Sequence, residues 1–418
     1  MKTLYLHIGP PKTGTSALQA FFAENYRVLK RKGVLYPKTG RAKTGRAKLA
    51  GHHYMINSIT QYQHERYRPK KTFTEYVIDL KKESRNFQRV LLSSEFMYFD
   101  IDSNDLVCLK EIFSRIFIIA YIRRQTEHMK SNYNEQVKTG HDRILTIQEY
   151  VKHYAKLRWF QTLLNYGDLF GKENIIVHPY EKQQFQGGTI FSDFLRILGL
   201  DFDDTYVLPQ EEVNQSLLMD DLEYKRMINM LNLEKKQTKS FMAPLIMHSS
   251  SKRGTEKVFL RNQDFLSPQE HLDIIERFAE TNATIAREYL GRADGQLFYD
   301  PLPDPDEPWE PYPGLSEEKV VEITRFITDH SSHNIPVLKD GIIKGLSSDD
   351  KKVKEAAKIL SPALPELNEK YGIKNLIPKS LHSKIEFLRY KRNYFARVLG
   401  VARKGLKNKL HMIHNKKG

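Results

Sequence analysis

Through the first two thirds of the chain, short apolar runs alternate with longer stretches whose apolar residues recur every three or four positions. Four runs, Leu4–Ile8, Arg89–Ser93, Ile116–Ile122 and Asn174–His178, predict β-strands. Several are apolar almost throughout, as strands covered on both faces must be. Between them, Ser16–Lys32, Phe73–Phe87, Thr126–Lys138 and Ile147–Tyr166 predict helices. Phe191–Leu198, Leu217–Leu233 and Pro268–Leu290 predict three more, the last opened by Ser267-Pro268 with Glu270 placed for a capping box. Strand, helix, strand in this order predicts an α/β fold, a central parallel sheet flanked by helices on both sides.

The pattern breaks at Pro301-Leu-Pro-Asp-Pro-Asp-Glu-Pro308, which continues to Pro311 and Pro313. So many prolines exclude helix or sheet interior and predict an extended connector. The expected organisation is a main domain over 1–300, a proline-rich linker over 301–315 and a basic helical region over 316–418. In the last region Ser316–His330 and Ser348–Leu360 predict surface helices. From His382 to Gly418 there are eleven Lys or Arg residues against one acid, Glu386, with apolar residues at helical spacing. A basic amphipathic helix of this kind can lie on an anionic membrane; a solvated tail, or a helix docked on the body, are the other readings.

Chemistry concentrates where the first strand ends. Leu4-Tyr-Leu-His-Ile-Gly9-Pro-Pro-Lys12-Thr13-Gly14-Thr15-Ser16 is an apolar run, a glycine-bounded loop with one lysine, and the start of a helix. Such a unit turns backbone N–H groups toward one point at the positive end of the helix dipole, which suits a phosphate. The spacing is close to the P-loop of nucleotidases, G-x-x-x-x-G-K-[ST], yet Thr15 stands at the lysine position and Lys12 lies inside the loop. A plain turn between strand and helix is the competing reading. A second anchor follows Ile116–Ile122: Arg123 ends that run, Arg124 is its neighbour, and Ser131 lies eight residues on in the next helix. A guanidinium fork and a hydroxyl converging at a strand end are suited to a second phosphate.

These two elements resemble those of sulfotransferases that use 3′-phosphoadenosine 5′-phosphosulfate (PAPS). The 5′-phosphosulfate loop of that family reads P-K-[TS]-G-T-[ST], matched here by Pro11-Lys12-Thr13-Gly14-Thr15-Ser16. Its 3′-phosphate element is an apolar strand, Arg, seven residues and Ser, matched by Arg123 and Ser131. Softer similarity to bacterial sulfotransferases acting on carbohydrates runs in family order over about residues 1–300. It includes Val90-Leu-Leu-Ser-Ser-Glu95, Gly171–Tyr180, Asp193–Gly199, Val213–Leu217 and Thr281–Arg287. Lys252-Arg253-Gly254 corresponds to a late basic element touching the 3′-phosphate, with lysine and arginine reversed. The resemblance implies a P-loop-type three-layer fold, PAPS as donor, 3′-phosphoadenosine 5′-phosphate as product and a carbohydrate hydroxyl as acceptor; no metal is expected to be required, because Lys12 and the helix dipole can neutralise the charge and no metal-ligand spacing is present.

Sulfuryl transfer to a hydroxyl needs charge neutralised on the leaving phosphate and a proton removed from the acceptor. Lys12 is the candidate for the first task, with the rest of the loop holding the phosphosulfate. For the second, Gly51-His52-His53 precedes a short apolar helical pattern, Tyr54–Ile59. Histidine titrates near neutrality and suits the removal of a sugar proton. The resemblance also places a histidine base in this region; His52 is favoured over His53, and Glu95 is the rival base. His330, His333, His411 and His414 read as surface residues.

Charge bears on partners. The formal net charge of +15 points to anionic ones. Nine basic residues and no acid lie between Arg27 and Lys48, including the duplication Gly40-Arg-Ala-Lys-Thr-Gly-Arg-Ala-Lys48. That loop is suited to guiding an acidic glycan, or is simply solvated. Aromatic residues do not interleave with the basic runs, so nucleic acid is not expected. Cys108 is the sole cysteine, which excludes an internal disulfide and fits a reducing compartment. Met1-Lys2-Thr3 leads straight into the first strand without a signal peptide, and no segment reaches membrane-spanning length, so a cytoplasmic protein is expected. The rival classes are a P-loop nucleotide-dependent kinase and a non-catalytic polyanion-binding protein. A kinase would want a lysine at Thr15 and a magnesium-binding aspartate after a strand, where Glu95 stands.

Overall fold

The computed structural model describes residues 1–42, 51–60, 65–99, 101–140, 144–153, 159–209, 216–253 and 263–375. They fall into two compact units: Met1–Asn229 with Leu245–Gly314, and Met230–Pro244 with the chain from Leu315 onward.

The first unit is built on five parallel strands, β1 (Thr3–Gly9), β2 (Val34–Leu35), β3 (Arg89–Ser93), β4 (Arg115–Ile122) and β5 (Ile175–Pro179), in the order β2-β3-β1-β4-β5. β1 pairs with β3 from Thr3 opposite Arg89 and with β4 from Thr3 opposite Arg115. Alternation along β1 sends Tyr5 and His7 to one face and Leu4, Leu6 and Ile8 to the other, and all five are buried. This is the two-sided burial that the apolar runs imply.

Helices of the first unit are α1 (Thr15–Glu24), α2 (Tyr26–Arg31), α3 (His53–Asn57), α4 (Phe73–Glu83), α5 (Phe96–Phe99), α6 (Gln125–Thr139), α7 (Ile147–His153), α8 (Trp159–Phe170) and α9 (Ile190–Ile197). α10 (Met219–Met230) follows; α11 (Lys235–Ser240) lies in the second unit, and α12 (Met242–Lys252) returns the chain to the first. There α13 (Pro268–Glu276) and α14 (Ala279–Leu290) complete the set. One core joins the Tyr5, Leu91, Ile119 and Tyr121 face of the sheet to Leu18, Phe21 and Phe22 of α1 and Phe194 and Leu195 of α9. α8 packs against β4 and β5.

Elements differ from the sequence expectation at three places, and at one of them a polar side chain is the cause. The helix expected over Ser16–Lys32 is interrupted at Asn25, whose amide donates to the Phe21 carbonyl (2.9 Å) and the Val207 carbonyl (2.8 Å) and accepts from Val207 N–H (2.8 Å). The side chain thus pairs with a distant backbone, which a continuous helix would prevent. The expected capping box at Ser267 is present, with Glu270 N–H donating to its hydroxyl at 3.2 Å and Ser267 N–H donating to the Glu270 carboxylate at 2.7 Å. The following helix divides at Phe278 without any breaker residue. β2 is too short for a periodic signal.

In the second unit, α15 (Glu317–His330), α16 (Asn334–Leu346), α17 (Lys351–Leu360) and α18 (Leu364–Asn375) bury Ile323, Ile327, Leu338, Ile342, Leu360 and Leu367. Leu231 packs against Gly341 and Gly345 of α16. His330 and His333 are exposed. The basic segment from His382, with His411 and His414, lies outside the described residues.

Phe194 is fully buried among Phe22, Tyr121 and the His7 ring. Phe194→Ala is expected to cost about 3–5 kcal/mol of unfolding free energy. Ile78→Ala, at an exposed site of α4, should change it by less than about 0.5 kcal/mol. Urea denaturation of the two variants checks the contrast, and equal losses would contradict this account of the core.

Candidate active site

Because β1 lies between β3 and β4, three neighbouring strands present their carboxyl ends together. The chain leaves β1 toward β2 and β3 on one side and continues through β4 and β5 on the other. This reversal opens a crevice at the strand ends, where open α/β sheets bind ligands. Glu95 follows β3, the lysine loop follows β1, and Arg123 follows β4. Gly9 has φ 97°, and a side chain built there would come within 3.3 Å of the Glu95 Cβ. Its bareness therefore lets β3's exit press against the loop.

Within the loop, Thr13 is buried and donates its hydroxyl to the Pro10 carbonyl at 2.6 Å. Lys12 has φ 69°, in the left-handed region that side chains disfavour by about 1–2 kcal/mol. Gly14, with φ 77°, caps α1 and offers no side chain to its first N–H groups. A side chain at Gly14 would also strike Ile190 at 2.8 Å and Tyr180 at 3.1 Å. The first turn of α1 at Thr15 and Ser16 thus has no side-chain cap, as an anion-binding helix start requires.

Lys12 and Arg123 come together. Arg123 Nη1 donates to the Lys12 carbonyl at 3.3 Å, and its guanidinium lies 5.5 Å from the Tyr180 ring centre. Facing both is one side of α6, where Glu127, Ser131, Glu135 and Lys138 recur at helical spacing. Arg123 Nη2 lies 3.4 Å from Glu127, and Lys12 Nζ lies 3.4 Å from Glu135. Ser131 stands between these two carboxylates on the same face. Burial lowers the Lys12 pKa, with Lys138 and Arg123 acting in the same direction and Glu135 opposing them.

The histidines separate. His52 is fully buried: Ser93 N–H donates to its Nδ1 at 3.1 Å, and Nε2 lies 3.1 Å from the Pro37 carbonyl. Both ring nitrogens are engaged with backbone, and burial pushes the pKa down to about 3. His53 opens α3, with Nδ1 2.9 Å from the Ser94 hydroxyl and Nε2 3.8 Å from Glu95 Oε2. Gln19 Nε2 donates to the same Glu95 oxygen at 3.1 Å and to the Ser93 hydroxyl at 3.2 Å. The Glu95 side chain retains 24% exposure, against 4% for His53. A side chain at Gly51 would lie 2.4 Å from His53 Nε2 and 2.7 Å from Gln19 Oε1. Sequence reasoning missed Gln19, Gly51 and Glu135; only the position of Gln19, four residues past Thr15 on α1, hinted at a side chain near the loop.

Beside Arg123 a cleft of about 500 Å³ runs between α6 and the chain at 300–309, with Tyr180, Lys130, His271 and Trp309 among its walls. The proline-rich stretch holds a turn at Asp304–Glu307, closed by Glu307 N–H donating to the Asp304 carbonyl at 3.1 Å, and forms one wall of the cleft. Tyr299 N–H (2.7 Å) and Asp300 N–H (3.2 Å) donate to the buried Glu181 carboxylate, which lies 3.4 Å from Arg124 Nη2. Trp309 Nε1 donates to the Asp264 carbonyl at 3.1 Å, and β6 (Gln263–Asp264) pairs with β7 (Glu310–Pro311). Arg124 also donates to the Pro301 and Asp300 carbonyls, a structural use. Lys252 ends α12, Arg253 follows it and donates to the Ser216 carbonyl, and Gly254 lies outside the described residues. Among the described residues no group of three or more His, Cys, Asp or Glu is placed to hold a metal ion, and no helix is long and apolar enough to cross a membrane.

No family model matches the chain. An uncharacterised protein of Archaeoglobus fulgidus is 26% identical over 205 residues, 48% of this chain and 54% of that protein, so the match spans about half the length of this relative. A sulfotransferase of solved structure from Alicyclobacillus acidocaldarius aligns over 59% of this chain and 94% of its own, with 15% identity and a TM-score of 0.32.

His7, His52 and His128 carry an acid-stability signature. Burial pushes each from 6.5 down to about 3. The unfolded chain therefore takes up protons below about pH 6.5 that the folded chain refuses until about pH 3. Stability is full above that range and falls with pH through it. Urea midpoints should drop steadily between about pH 7 and pH 4.5; a flat profile would mean the rings are protonated in place.

Proposed function

We propose that this chain is a PAPS-dependent sulfotransferase acting on a carbohydrate hydroxyl. The observation that carries this reading is the contact of Arg123 with the Lys12 carbonyl, which brings the two sequence elements for separate phosphates to one crevice. The uncapped start of α1 supports a 5′-phosphosulfate at Pro11–Ser16. Arg123 and Ser131 are then the holders of the 3′-phosphate, and the adjoining cleft takes the nucleoside. Lys252 and Arg253 have no assigned part.

In the transfer, the sulfur–oxygen bond to the leaving phosphate breaks as a sulfur–oxygen bond to the acceptor forms. Lys12 and the α1 N–H groups neutralise the charge that develops on the phosphate. We place the proton acceptor at the Glu95–His53 pair. His52, with both nitrogens bound to backbone, shapes the β3 exit instead. Glu95 is the exposed member, Gln19 and His53 hold it from behind, and the acceptor hydroxyl gives its proton to this pair.

The acceptor assignment draws support from the basic segment after Arg27. Ala42 N–H donates to the Gly51 carbonyl at 2.9 Å, so the residues that flank 43–50 meet beside His52 and His53. An acidic glycan is the substrate that such an arrangement favours. Arg41 is excluded from that task because its guanidinium is held by the Tyr36 and Pro37 carbonyls. Residues 43–48 lie outside the described residues. Contact of the C-terminal basic segment with an anionic membrane, and a cytoplasmic location, remain parts of this proposal.

Calorimetric titration with 3′-phosphoadenosine 5′-phosphate, without magnesium, tests the donor site. Binding is expected, weakened about tenfold to a hundredfold in Arg123→Ala. No binding, together with binding of magnesium–ATP, would overturn the reading in favour of a kinase. Lys12→Ala should lower turnover by about 10²–10³ while the protein stays folded.

For the base, His53→Ala and Glu95→Gln should each lower turnover by about 10²–10⁴. Gly51→Ala, which displaces His53, should lower turnover while product binding persists. Full turnover in Glu95→Gln with loss in His52→Ala would reverse the assignment.

A further inference from the structure

An acid sits where the proposed donor's anion belongs. Glu135 Oε2 lies 3.4 Å from Lys12 Nζ and 3.1 Å from Lys138 Nζ. The Lys138 side chain is 3% exposed, so this second cation is deep in the same site. A carboxylate beside a phosphate-binding lysine repels the ligand, yet this one also pairs the buried Lys138 on its own helix. A neutral glutamine would fill the same volume.

We infer that Glu135 is an internal counter-anion, occupying Lys12 in the empty site and yielding it to the incoming phosphate while staying on Lys138. The inference rests on the reading that the loop binds phosphate. Glu135 is a positioning residue here, since it acts through Lys12. Two consequences are coupled. The carboxylate competes with the ligand for the ammonium, and it keeps that ammonium charged and aimed into the crevice while the site is empty.

The groups facing Lys12 set the balance. Glu135 and Lys138 come from α6, Arg123 from the end of β4, and His128 from the first half of α6 is close enough to feel the Lys12 charge. Burial depresses Lys12, and Lys138 and Arg123 depress it further. Of the charged groups named, Glu135 alone works the other way. Burial opposes ionisation of Glu135, but the Lys138 and Lys12 charges outweigh it and hold its pKa below the ordinary value. The carboxylate is therefore ionised at neutral pH, pairs with both lysines, and can release Lys12 while keeping Lys138.

Calorimetric titration of the full chain with 3′-phosphoadenosine 5′-phosphate across about pH 7 to 10 tests this. Glu135→Gln should bind about tenfold tighter at neutral pH, because the competitor is gone. Its affinity should then fall away at lower pH than in the parent protein, because Lys12 has lost the group that keeps it protonated. Lys138→Gln should bind more weakly, since the displaced carboxylate has nowhere to go. That weakening should shrink when Glu135→Gln is added, and a double-mutant cycle measures the difference. A merely structural role would weaken binding in both single variants and leave the alkaline limb in place, which would overturn the inference. Additive effects in the cycle would also overturn it. Should Glu135→Gln not fold, unchanged or tighter binding in Lys138→Gln suffices to reject it. Absence of binding by the parent protein overturns the phosphate reading itself, a result distinct from binding that ignores Glu135.

Discussion

The pairing of β1 with β3 on one side and β4 on the other is the constraint on which the rest of the site depends. A strand hydrogen-bonded along both edges cannot shift register without breaking two ladders, so its exit is fixed relative to its neighbours' exits. Glu95 and Arg123 lie 83 and 111 residues beyond Lys12 in the chain, yet the three meet because three parallel strands end together. No direct contact among their side chains is needed to assemble them. The backbone does it, and the Arg123 bond to the Lys12 carbonyl only trims the result.

Around that frame the buried polar groups are arranged with little slack. His7 reaches the Ser93 hydroxyl at 2.9 Å, Ser93 receives Gln19, and Ser93 N–H reaches His52. Neutral rings at His7 and His52 are what this network needs, since a charge at either would be uncompensated in the core. The same burial that makes them useful struts makes them poor proton acceptors. His53, one residue beyond His52, differs because α3 turns its ring toward Glu95.

Much of the frame could be read in the sequence, because apolar runs of four to eight residues and helical periodicity are local properties. The strand–loop–helix form around Lys12 and the place of Arg123 just past a strand were equally legible, since both follow from local pattern. The choice between His52 and His53 was not. Adjacent residues have the same local composition, and which ring is engaged by the Pro37 carbonyl depends on how the chain returns over the fifteen residues between them. Glu135 carried no signal because a glutamate on a polar helix is ordinarily solvated. The break at Asn25 was hidden for the same reason: its partner, Val207, lies 182 residues away. Likewise the proline-rich stretch announced a break in the helical pattern but not the carboxylate of Glu181 that holds it in place.

That last feature sets an order in time. The lysine loop and β1 leave the ribosome first, whereas the wall at Tyr299, Asp300 and Trp309 leaves after almost three hundred further residues, including the excursion of 230–244 into the second unit. Until then Glu181 has Gln184 and Arg124 but lacks two of its N–H donors, and the cleft beside Arg123 lacks its wall at 300–309. A nascent chain therefore carries the lysine loop long before it carries a pocket. The first unit closes only when its return segment, Leu245–Gly314, has been made.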